Sequence, residues 1–208
     1  DSGVATLPIA DMQSYRQRLS EFVYNSAFVM KPIFARAKSN PKRVVYCEGE
    51  DNNVLLAVQV VVDEQLAQPT LVGRPAVIEA NIEKLGLRLK DGVNMTIVNQ
   101  DDDPRYKDNW QGYYEKNKRT GVSIELARRD VRRKTSLIGA LLVENGDADG
   151  MICGTFGHYQ LHLKYVSRVI DKKEGINDFY AMNAVLMQDR NIFIADTYIH
   201  EDPTAEQL

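Results

Sequence analysis

Short β-branched apolar runs alternate with apolar residues at helical spacing through the middle of the chain, and this alternation sets the fold. Val44 to Cys47 is one such run; it opens into Glu48-Gly49-Glu50-Asp51, after which Val54, Leu55, Val58, Val61 and Val62 fall on one helical face. Pro69 to Val72 is a second run, followed by Gly73-Arg74-Pro75 and another helical pattern. Met95 to Val98 predicts a third strand, and Asp101-Asp102-Asp103-Pro104 turns the chain into a helix that Gly121 closes. Ser123 starts a further helix with Glu125 in its first turn, Thr135 to Val143 is an apolar helix ended by Gly146, and Ala148 to Cys153 is the next strand. Tyr159 to Ile170 is helical by pattern. Strands separated by helices pair in parallel, because parallel neighbours need a crossover and the helix supplies it. The expected fold class is therefore α/β, a three-layer lobe built on a parallel sheet.

The two ends read differently. Met12 to Lys38 has amphipathic helical spacing through Tyr15, Leu19, Phe22 and Val23, and predicts a helical arm or linker over 1–40. The α/β lobe is expected over 41–174. Beyond it, Asp178 to Met187 and Asn191 to Asp196 have hairpin spacing about Gln188-Asp189-Arg190, which predicts the start of a second lobe over 175–208. Asp202-Pro203-Thr204 has the chemistry of a helix start, and the chain stops one turn later. Cutting within a domain is the expectation that follows.

Ligands of parallel sheets gather at the carboxyl ends of the strands. The loop expected there after the first strand carries three carboxylates, which excludes a dinucleotide loop of the Gly-x-Gly-x-x-Gly kind. Those carboxylates suit a divalent cation, or they serve the dipole of the following helix without any ligand. Gly154-Thr155-Phe156-Gly157-His158 is the best ligand loop, since Gly154 and Gly157 allow close backbone approach and a helix start follows; a plain strand-to-helix turn is the alternative. Lys164, on that helix, is placed to face the same crevice. His158 and His162 share a helix face as metal ligands do, but with no third ligand nearby they read as surface or capping residues. Asp196 ends an apolar run, where polar groups serve a crevice.

Composition narrows the partners. The formal net charge of −3 gives no reason to expect nucleic acid or an anionic membrane, and no window approaches the apolar length of a membrane span. A cytoplasmic protein is expected. Cys47 and Cys153, the two cysteines, lie in apolar runs and read as buried reduced thiols. The basic run Arg128 to Lys134 spreads around a helix and reads as a solvated face or subunit contact, without a ligand.

The stretches CEGEDNNVLLAVQVVVDE, PTLVGRPAVIE, TSLIGALLVENGDADGMICGT and FIADTYIHEDPTAEQL resemble the phosphate acetyl/butyryltransferase family, and the opening stretch from Asp1 to Lys38 resembles the junction that follows the catalytic domains of large bacterial NADP-dependent malic enzymes. The resemblance implies an isocitrate/isopropylmalate dehydrogenase-like two-lobed domain whose cleft takes coenzyme A and acyl phosphate. It further implies homo-oligomers, a malic-enzyme domain in cis, and NADP with Mg2+ or Mn2+ held by residues upstream of Asp1. By the same resemblance, Asn53, Asn117 and Lys164 stand where active transferases carry arginines, and the serine, arginine and aspartate of acyl transfer fall beyond Leu208. The implied role is an acetyl-CoA sensor and assembly domain, with no catalytic residue of its own, through Gly154, Thr155, Gly157, His158, Lys164 and Asp196. A working phosphate acyltransferase and a purely structural assembly module are the alternatives.

Overall fold

A computed structural model describes residues 11–187 and 190–207, with the side chains of 17–29 excepted. Two compact units are present, one spanning 37–179 and the other made from the two ends of the chain. The amphipathic spacing through Leu19, Phe22 and Val23 and the hairpin turn at Gln188-Asp189 lie outside the described residues.

The larger unit is the α/β lobe. Strands β1 (Lys42–Tyr46), β2 (Ala67–Val72), β3 (Thr96–Val98) and β4 (Gly150–Ile152) form one parallel sheet in the order β3-β2-β1-β4. Between them run helices α2 (Asn52–Asp63), α3 (Pro75–Leu85), α4 (Tyr106–Asn117), α5 (Ile124–Arg133) and α6 (Thr135–Glu144), and α7 (Tyr159–Ser167) follows β4. Alternation along the strands divides the core into two faces. Tyr46 and Leu71 pack with Leu55, Val58, Ile78 and Ile82 of α2 and α3. Val45, Cys47, Val72 and Val98 pack on the other face with Ile138 and Leu142 of α6. A third cluster joins α4, α5, α6 and Val169 behind α6, through Tyr113, Val131, Leu137 and Leu141. Helices on both faces make this a three-layer α/β lobe, as the alternation in sequence predicts.

The caps follow from local chemistry. Asp51 Oδ1 accepts from the N–H groups of Asn53 and Val54 and starts α2, and Ser123 Oγ accepts from Leu126 N–H and starts α5. Gly86, at φ 64°, ends α3 in the left-handed region. Gly139 brings α6 down onto β1: a Cβ there would lie 2.4 Å from Cys47 Sγ and 3.2 Å from Met151 Cε. At the amino end of the sheet, Arg43 staples β1 to the approach to β4. Its guanidinium donates to the carbonyls of Gly146 and Asp147 and to Asp149 Oδ1 at 2.7 Å, while Arg43 N–H donates to Asp149 Oδ2 at 2.9 Å.

In the smaller unit, α1 (Met12–Ser39) starts at Asp11, whose Oδ1 accepts from Gln13 and Ser14 N–H, and it runs on to join the lobe. Strands β5 (Met182–Leu186) and β6 (Asn191–Ala195) pair antiparallel, Met182 opposite Ala195 and Leu186 opposite Asn191. Asp202-Pro203-Thr204 leads into a single turn over 205–207, closed by Gln207 N–H donating to Thr204 C=O, with no helix among the described residues. Gln207 Oε1 accepts from Thr204 N–H at 2.9 Å, the reach-back contact of a capping box.

Two outcomes follow from this packing. Gly139→Ala is expected to cost about 1 to 3 kcal/mol through overpacking against the cysteine below it, read as a lowered denaturant midpoint. Arg43 holds the Asp149 carboxyl down at about 2, from an ordinary 3.8, so the stabilisation is present above the unfolded value and is lost as pH falls through the folded one. Asp149→Asn is therefore expected to flatten the loss of stability between those two pH values, measured by unfolding at a series of pH.

Candidate active-site cleft

The carboxyl ends of the parallel strands surround a hollow of about 530 Å3. Its floor is the acidic loop after β1, its sides are Gly73-Arg74 after β2 and Gln100-Asp101 after β3, and Arg132, Arg133 and Thr135 from the α5–α6 junction and Phe156 after β4 complete it. Each acid of the loop is engaged within the lobe. Glu48 is buried, and its Oε1 accepts from Gly154 N–H at 3.0 Å. Glu50 grips Arg74 through both oxygens at 2.8 and 2.7 Å, and this guanidinium holds the Glu50 carboxyl below its usual range. Asp51 caps α2. Among the described residues no group of three or more His, Cys, Asp or Glu is arranged to hold a metal ion.

Gln100 and Arg133 on the hollow are open to a ligand, as is the exposed carboxylate of Asp101. Gln100 Oε1 is buried with no hydrogen-bond partner among the described residues, a condition that costs about 1 to 3 kcal/mol unless something donates to it. Arg133 is exposed and makes no ion pair or hydrogen bond with any described residue. Its neighbour Arg132 lies over the Tyr106 ring at 4.4 Å. An exposed guanidinium beside a donor-seeking amide suits an anion that also carries N–H or O–H groups.

The glycine loop joins β4 to α7 beside this hollow. Gly154 and Gly157 have φ of 105° and 95°, a region in which only glycine is unstrained, and a Cβ on Gly157 would lie 3.1 Å from His162 Nε2. Thr155 is exposed, and His158 occupies the cap position of α7 without a side-chain cap bond. His162 turns inward: Nε2 donates to Phe156 C=O at 2.9 Å, which leaves Nδ1 to accept from Ser136 Oγ at 2.6 Å. A second, smaller hollow of about 340 Å3 lies along the same loop, lined by Cys153, Gly154, Gly157, Tyr159, His162, Leu163 and Val166. Lys164 is exposed on α7 and lines neither hollow. In the smaller unit Asp196 follows β6 with φ 56°; its Oδ1 meets His200 Nδ1 at 2.8 Å and its Oδ2 is buried without a partner among the described residues.

Arg132 and Arg133 are the residues that sequence reasoning passed over. Helical periodicity spreads the basic run evenly, and only the tight junction at Lys134, extended between α5 and α6, turns its last arginines to the strand ends.

Residues 28–208 match the model of a family described as phosphate acetyl/butaryl transferase. The chain belongs to that family. Its likeness to an NADP-dependent malic enzyme of Salmonella typhimurium is 50% identity over 208 residues, all of this chain and 27% of the relative. A phosphate acetyltransferase of Nitratidesulfovibrio vulgaris is 30% identical over 176 residues, 85% of this chain and 24% of the relative. The chain thus spans about a quarter of the curated relatives it matches. A crystal structure of a phosphotransacetylase from Streptococcus pyogenes shares the fold at a TM-score of 0.73 and 23% identity, over 86% of this chain and 54% of that one.

Membership in the phosphate acetyl/butaryl transferase family gives the positions Asn53, Asn117 and Lys164 their interest. Asn53 is exposed on the first turn of α2. Asn117 is buried, and its Nδ2 donates to the carbonyls of Tyr113 at 3.0 Å and Arg168 at 2.9 Å. It therefore serves as a clasp between the ends of α4 and α7. A second clasp, from Glu48 to Gly154 N–H, joins the loops after β1 and β4. Glu48→Ala is expected to destabilise the lobe by about 1 to 3 kcal/mol and to raise the hydrogen-exchange rate at Gly154 N–H, whereas Glu48→Gln keeps an acceptor and most of the protection.

Proposed function

We propose that this chain is the regulatory domain of a fused malic enzyme, and that its cleft senses acetyl-CoA or a related acyl-CoA without transferring the acyl group. The observation that supports binding is that Arg133 and the unsatisfied Gln100 line one hollow at the strand ends. Phosphates of coenzyme A are the natural partners of the guanidinium, and their carrier also has the N–H and O–H donors that Gln100 requires. Gly154, Thr155, Gly157 and His158 would frame the ligand from the loop after β4, with Lys164 one turn further along α7 as a peripheral charge. The observation that supports sensing over catalysis is Asn117, whose amide is committed to two backbone carbonyls and offers no charge to an acyl phosphate.

The parent protein, on this reading, converts malate to pyruvate and carbon dioxide with NADP and Mg2+ or Mn2+ in its other domains, works in the cytoplasm, and assembles as a homo-oligomer partly through this domain. Acetyl-CoA would alter malate oxidation only by binding one state of that assembly better than another, with a coupling of about 1 to 3 kcal/mol.

The test uses the intact protein. Acetyl-CoA is expected to bind by calorimetry and to change the rate of malate oxidation, and Arg133→Ala is expected to weaken binding about tenfold or more, at about 1.5 to 3 kcal/mol for one charged hydrogen bond. Phosphate-dependent acyl transfer at about 1 per second or faster would make the domain a transferase and overturn this reading. Oligomers that dissociate on deletion of the domain, with no response to acetyl-CoA before deletion, would leave assembly as its role.

A further inference from the structure

Cys47 and Cys153 are the two residues that directly continue the paired strands β1 and β4. Tyr46 stands opposite Ile152 in the parallel register, and Cys47 N–H donates to Ile152 C=O at 3.0 Å, so the next pair along the ladder is Cys47 beside Cys153. Neighbouring strands lie about 4.8 Å apart, inside the Cα separations that a disulfide spans. Both side chains leave the sheet on the same face, where they pack with Ile138, Leu142 and Met151. Their environments differ. Cys47 is fully buried under Gly139, and Cys153 is partly exposed on the wall of the smaller hollow.

We propose that Cys153 and Cys47 are a peroxide-responsive thiol pair, with Cys153 the thiol that reacts and Cys47 the thiol that resolves it to a disulfide joining β1 to β4. Cys153 also shares its hollow with His162, whose Nδ1 meets Ser136 Oγ at 2.6 Å. The Cys153 thiol loses its proton to solvent in the hollow, and the thiolate attacks the distal oxygen of a hydroperoxide. The O–O bond breaks, the alcohol or water leaves with a proton, and Cys153 becomes a sulfenic acid. The Cys47 sulfur then attacks the Cys153 sulfur, hydroxide leaves as water with the Cys47 proton, and the S–S bond forms. Two electrons have moved from the thiols to the peroxide. The electrostatics favour this order of reaction. The Cys47 thiol, then Ser136 and the nearby His162, draw Cys153 down to about 6 against burial and Glu48, while the neighbouring Cys153 sulfur and burial push Cys47 upward and keep it protonated. The pair needs no acyl-CoA, so it stands or falls apart from the sensing role.

The experiment treats the native protein with hydrogen peroxide, blocks remaining thiols by alkylation, and maps tryptic peptides. The expected product is a link between the peptides spanning 44–84 and 135–164, reversed by dithiothreitol. Cys47→Ser is expected to stop at a sulfenic acid on Cys153 that dimedone captures, and Cys153→Ser to leave Cys47 unmodified at the same dose. Thermal unfolding of both variants, and the wild-type linkage that needs no variant, keep the result independent of any folding defect. Linkage between copies of the chain, preferential modification of Cys47, or oxidation of Cys153 beyond the sulfenic acid with no linkage in the wild type would each overturn the proposal.

Discussion

Because β1 pairs in parallel with β2 on one side and β4 on the other, every strand of the sheet delivers its carboxyl end to the same edge. The loops that follow them must then share a small volume, and the chemistry of the cleft is the chemistry of their accommodation. Three acids from the loop after β1 would repel one another there. Each is drawn to a different neighbour: Glu48 to a backbone N–H across the cleft, Glu50 to the arginine after β2, and Asp51 to the open turn of its own helix. The acidic crest is thereby used up as scaffold, and the positive charge that remains free at the edge comes from another element, the α5–α6 junction.

This explains what the sequence makes legible and what it leaves hidden. Strand and helix alternation is a property of local periodicity, and the sheet, its parallel sense and its two helix layers follow from it. So does the turn at Gly154 and Gly157, where positive φ leaves a glycine signature. Arg133 was hidden, because its position depends on how one short helix is set against the next. The Asp202-Pro203-Thr204 start is legible in the same way as the glycine turn: Gln207 Oε1 reaches back to accept from Thr204 N–H, the reciprocal contact of a capping box.

Family membership and local structure point in different directions at Asn117. In a domain related to transferases, a position implied to bear a guanidinium is filled by a neutral side chain already saturated by two carbonyls. A buried amide with both donors engaged is costly to redirect, since each freed carbonyl would lose its partner.

The bond from Glu48 to Gly154 joins residues 106 positions apart, and the ladder between β1 and β4 spans a similar interval. Its consequence is one of timing. β1, α2 and β2 can associate as soon as they exist, since short loops close at little entropic cost, whereas β4 must wait for four intervening α-helices and one strand. On the ribosome, the first half of the sheet is expected to stand for some seconds with one edge of β1 unpaired and Glu48 without its amide. The wall that completes the cleft is the last to be laid, and an exposed strand edge during that interval is the stage of this domain's life most open to misassembly.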